Sequence, residues 1–103
     1  MKANAQKHTA GYPTARKIRR ACSNELYRTV KRMKVWVSKD KMDQAEELYF
    51  KKVVLNLTWI VENQSNRKVQ ADWWDENVSA DIAELWQVDR VKLCTAFRDA
   101  YGG

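Results

Sequence analysis

Three glycines and one proline in 103 residues leave this chain few places to turn. Sandwiches and barrels need a turn signal about every ten residues, so the scarcity argues against them and for long helices. No glycine or proline interrupts the run from Met42 to Glu62. The expected fold is therefore all-α: a small single-domain helical bundle over residues 13–103, behind a flexible basic tail at residues 1–12. With 45% apolar residues the chain can build one modest core.

Thr14, following Pro13, is placed to cap a first helix. Apolar or small residues at Ala15, Ile18, Cys22, Leu26, Val30, Met33 and Val37 step by three and four, marking one face of a helix over Thr14–Val37. Arg16, Lys17, Arg20, Arg28, Lys31 and Lys34 fall on the opposite side, along about 27 Å of helix. A solvated charged face usually mixes signs, whereas this row is nearly pure. Its spacing matches the close spacing of phosphates in a duplex, which makes these six the candidate phosphate contacts. Arg19 lands at the apolar boundary, where its stem can lie on the core while the guanidinium reaches water.

Ser38 or Asp40 caps a second helix, expected over Asp40–Asn63, with Met42, Ala45, Leu48, Tyr49, Val53, Leu57 and Ile60 at helical spacing. The stretch Val53–Val61 is also rich in β-branched residues and alternates. With Asn63–Asn66 as a turn and Lys68–Trp73 returning, an α+β fold with a hairpin at residues 53–73 is the rival reading. The absence of any breaker favours the helix. Arg67 and Lys68 add two exposed cations after the loop. Trp73 and Trp74, flanked by Asp72 and Asp75, are candidates for a protein interface, since exposed tryptophans anchor such surfaces. The neighbouring carboxylates disfavour stacking on bases. An adjacent pair more often puts at least one ring into the core.

The last quarter of the chain reads as two short helices joined by a tight turn. Ser79 is placed as an N-cap, with Val78 and Ala83 at the two positions of a hydrophobic staple. Val88, the cap Asp89 and Leu93 repeat the grammar. This segment resembles the helix-turn-helix of bacterial and phage repressors, especially lactose-repressor-like ones, over about a fifth of the chain. The resemblance implies a helix at Ser79–Trp86 and a recognition helix at Arg90–Tyr101, a helix-turn-helix unit spanning residues 79–101. It also implies that Arg90, Val91, Lys92, Thr95 and Arg98 face the groove and read bases. Gln87 stands where the family usually has glycine, so the turn needs a non-glycine residue at positive φ.

Net charge is +6, but its distribution is more telling. Residues 1–39 carry eleven Lys and Arg against one acidic residue, Glu25; residues 72–103 carry three basic and seven acidic. One end is thus made for polyanions, and it is not the end that resembles a helix-turn-helix. The acidic residues Asp81, Glu84, Asp89 and Asp99 lie inside that second segment and would repel DNA.

Enzyme chemistry finds little support. There is no separated acid–base pair, no glycine-rich phosphate loop and no Ser–His or Cys–His arrangement, and the one histidine, His8, lies in the tail. Cys22 and Cys94 are isolated, so no zinc set can be assembled and no cofactor is expected. A single disulfide between them is one reading; two thiols in a reducing cytoplasm is the other. No apolar run is long enough to span a membrane. The leading expectation is a small basic nucleic-acid-binding protein, DNA favoured over RNA, of the transcriptional-regulator type and working as a homodimer on paired half-sites. The alternative is a small inhibitor or adaptor whose basic helix meets an acidic groove on a larger protein or nucleoprotein complex. The directions of Arg16, Arg20, Arg90 and Arg98 discriminate: a common face favours nucleic acid, and opposite faces favour a split function or a protein partner.

Overall fold

The computed structural model describes residues 12–103 and is all-helical, with no strand among the described residues. Six helices follow in order: α1 Ala15–Met33, α2 Lys39–Leu55, α3 Leu57–Glu62, α4 Arg67–Asn77, α5 Ser79–Trp86 and α6 Arg90–Tyr101. Most of the tail expected at residues 1–12, with His8, lies outside the described residues. Tyr12 is described, and its hydroxyl donates to Thr58 Oγ1 at 3.1 Å.

The caps explain most of the boundaries. Thr14 Oγ1 accepts from Lys17 N–H, Ser38 Oγ from Lys41 N–H, and Asp89 Oδ2 from Lys92 N–H. The first helix ends at Met33 rather than Val37, because Lys34 adopts φ 57° and closes the helix through a bond from its N–H to Val30 O. The second helix is not continuous to Asn63. At Asn56 the backbone leaves helical geometry, with φ −119° and ψ 22°, while the side-chain amide donates to Lys52 O. An asparagine side chain that competes for a helical carbonyl ends the helix here, where no glycine or proline is present. The hairpin alternative at residues 53–73 is overturned: these residues form the end of α2, all of α3 and most of α4.

Ser79 does not cap α5. Val78 occupies that position, and Ser79 is a fully buried first-turn residue whose hydroxyl donates to Asp75 O. The turn between α5 and α6 does use Gln87 at φ 58°. Its N–H bonds to Glu84 O and that of Val88 to Ala83 O, the paired pattern of a Schellman cap, here with Gln87 in place of glycine.

The core runs between α1, α2, α4, α5 and α6. Trp74 stacks on Phe97 with ring centroids 3.8 Å apart, and Tyr49 meets both rings edge-on. Leu26, Ile82 and Leu93 are fully buried around them. Polar ties fix the layers. Trp86 Nε1 donates to Lys41 O, and Arg67 Nη1 donates to Tyr101 O while its guanidinium lies over the Tyr101 ring. Arg19 pairs with Glu47 and covers the Phe50 ring at 3.8 Å, so its stem follows the core edge as its boundary position predicts. Both cysteines are free thiols.

Candidate nucleic-acid interface

α1 offers its apolar face, Ile18, Cys22, Leu26 and Thr29, to the core. The opposite face carries Arg16, Lys17, Arg20, Arg28, Lys31 and Lys34, all exposed. Among the described residues none of these six is within 4 Å of a carboxylate, whereas their neighbours Arg19 and Arg32 pair with Glu47 and Asp99. The N-terminal half of the row does not stabilise the helix, whereas Lys31 and Lys34 at its C-terminal end are favoured by the macrodipole. Arg16 and Lys17 stand in the first turn, where the macrodipole disfavours cations, and Arg16 and Arg20 are like charges at i,i+4.

Two exposed aromatic residues on or just beyond this helix carry no mark in the apolar pattern. Tyr27 is 55% exposed and sits between Arg20 and Lys31 along the helix axis. Trp36, just past the end of α1, is 86% exposed. The signal for Tyr27 was available: it lies seven residues after Arg20 and four before Lys31. Trp36 was concealed by the expectation that α1 continued to Val37.

Trp73 and Trp74 are corrected as interface candidates. They are 9% and 1% exposed, and their rings belong to the core. The reason is periodicity: α4 also buries Gln70 and Ala71, so the apolar side of the helix passes through both tryptophans.

The base-reading set divides. Arg90 Nε donates to Ser79 Oγ and its Nη2 to Asp75 O, both at 2.9 Å. Arg98 Nη2 bonds to Asp72 Oδ1 at 2.5 Å and lies 3.7 Å from Asp75 Oδ2. The Arg98 bond holds the Asp72 carboxyl below its ordinary value, with Lys68 adding to the effect. Arg90 thus ties α6 to α4 and α5, and Arg98 ties it to α4, so both guanidiniums are engaged within the fold although Arg90 is still exposed. Val91, Lys92 and Thr95 remain exposed on α6. Arg16 and Arg20 point away from the core on α1, while Arg90 and Arg98 turn toward α4, so the four do not make one surface, the outcome that favours a split function or a protein partner over a single nucleic-acid face. Cys94 between them donates to the Asp75 carboxylate, and burial raises its thiol.

A second polar feature lies under α1. Glu25 is inward of the stripe, accepts from the Tyr49 hydroxyl, and borders an apolar cavity of about 180 Å³. Burial pushes its carboxyl up, and the Tyr49 hydrogen bond, Arg28 and Arg67 draw it back. No group of three or more His, Cys, Asp or Glu among the described residues is arranged to hold a metal ion. No helix among them is long and apolar enough to cross a membrane. The chain matches no protein-family model, no curated protein and no solved structure.

Proposed function

We propose that this protein binds nucleic acid by laying the outer face of α1 along the phosphate backbone. The observation that carries the reading is the row of six exposed α1 cations, without a carboxylate partner among the described residues, opposite a well-packed apolar face. Phosphate contacts position a protein without reading sequence, and the engagement of Arg90 and Arg98 leaves Lys92 and Thr95 as the polar groups of α6 for any base readout. A regulator of the repressor type would place α6 in the major groove with these residues forward. Tyr27, exposed within the row, supplies a face on which an unpaired base can stack.

Fluorescence anisotropy with duplex DNA, single-stranded DNA and RNA of mixed sequence, across a salt series, tests the reading. Six phosphate contacts on a duplex give a log–log slope of about −5. No binding to any of the three at low salt overturns it.

A second reading has its own observation. Trp36, Val35 and Val91 are exposed hydrophobics, and Val35 and Val91 line one groove with Arg32, Lys92, Asp89 and Asp99. A protein partner with an apolar face and a mixed-charge rim would use that end, and loss of its capture in Trp36→Ala distinguishes it from nucleic acid.

A further inference from the structure

The cavity under α1 meets the proposed phosphate row only at Lys17, on its rim. Its volume of about 180 Å³ slightly exceeds the roughly 150 Å³ of an engineered apolar cavity that stays dry and takes up benzene. Ile18, Tyr49, Val53, Leu57, Ile60 and Phe97 supply its apolar wall. Pro13, Lys17, Ala21 and Gln64 also line it and are exposed, which places its mouth between the start of α1 and the end of α3. None of the residues of α3 is fully buried, so this short helix is the least anchored part of the wall.

One polar group on the wall has unused capacity. One oxygen of Glu25 accepts from Tyr49, and no other donor among the described residues bonds to that carboxylate. An apolar chamber with a few convergent polar groups is the usual form of a small-molecule site. The charges narrow the ligand. A cation would meet the field of Lys17, Arg28 and Arg67, while an anion would meet Glu25. A neutral hydroxyl meets neither conflict: it donates to a carboxylate oxygen.

The geometry points to a binding site for a neutral, ring-sized alcohol or phenol, its ring in the apolar wall and its hydroxyl donating to Glu25. The test is a titration of the full chain with phenol, toluene, benzoate and benzylammonium, followed by methyl NMR shifts of Ile18, Val53, Leu57 and Ile60. Phenol binds saturably and about tenfold or more tighter than toluene, as expected for a hydrogen bond to a charged acceptor. Glu25→Met removes that advantage while toluene binding persists, and Ala21→Trp, at the exposed mouth, blocks both ligands. Because Glu25→Met also strips Tyr49 of its partner, Tyr49→Phe serves as the second variant; it leaves Glu25 in place and retains the preference for phenol. Absence of saturable shifts with phenol, equal affinity for phenol and toluene, or a preference for either charged probe overturns the proposal.

Discussion

Neutralising half of the α1 row separates a binding role from a structural one. The triple variant Arg16→Gln, Arg20→Gln, Lys31→Gln removes three exposed cations that have no carboxylate partner among the described residues and touches none of the buried face. Each phosphate contact contributes about 0.9 to the salt slope on duplex DNA, so six contacts give about −5.4 and three about −2.7. Between about 50 and 200 mM salt the unaltered protein should lose affinity by about two-thousandfold and the variant by only about fortyfold. Anisotropy titrations at four or five salt concentrations resolve that difference easily. The same variant should melt at about the same temperature, since relieving the Arg16–Arg20 repulsion and removing a cation from the first turn offset the loss of Lys31 from the last turn. An unchanged slope would refute the reasoning, because the phosphates would then be held elsewhere. A markedly lower melting temperature would refute it from the other side by giving the row a structural role.

The remaining expectations concern the packing and the titrating groups. Trp74→Ala, which empties the centre of the aromatic stack, should cost about 3–5 kcal/mol by chemical denaturation, while Trp36→Ala should leave stability unchanged. Arg90→Ala should cost about 1–2 kcal/mol through the lost bonds to Ser79 and Asp75, whereas Lys92→Ala should cost nothing measurable; equal effects would mean that Arg90 is not held within the fold. Glu25 has a folded-state value raised above its ordinary 4.5. The folded state therefore holds a proton that the unfolded state has lost, and stability falls as pH rises through that interval. Glu25→Gln should abolish this fall in a series of denaturation curves. Asp72 acts in the opposite sense. Its lowered value stabilises the fold above the ordinary 3.8, and the contribution disappears as pH falls through the folded value, a loss that Asp72→Asn should remove.

The caps at Thr14, Ser38 and Asp89 and the span of the last two helices follow from local rules, because each depends on a side chain and the next three or four residues. The break at Asn56 was harder to see. Asparagine is compatible with a helix interior, and it ends α2 only when its amide takes the Lys52 carbonyl, a choice between two satisfied states. Lys34 raises the same difficulty, since a non-glycine residue at positive φ carries no compositional mark. On the α1 face the cations were visible from periodicity alone. The fates of Trp73, Trp74 and Trp36 were not, because burial of an aromatic residue depends on which helices arrive to cover it. Trp36 remains bare because α1 stops at Met33.

The divided fate of the helix-turn-helix residues has a common cause. The spacing that identifies such a unit consists of its packing positions: Val78, Ala83 and Leu93 are all buried here, and Gln87 makes the turn that the spacing requires. Those positions specify how two helices cross and say nothing of what the outer side of the second one meets. Here one flank of it, carrying Arg90 and Arg98, meets α4, while Val91, Lys92 and Thr95 stay exposed. Asp72 and Asp75 project toward α6 one turn apart, and Arg98 lies between them with Arg90 a little over two turns away on the same helix. A carboxylate already beside a guanidinium competes with any phosphate or guanine for it, and does so without the entropic cost of association. On α1 the corresponding flank is empty of carboxylates among the described residues, and the cations there keep their full capacity for an external polyanion. The position of the acidic residues, more than the number of basic ones, thus favours α1 over α6 as the binding helix.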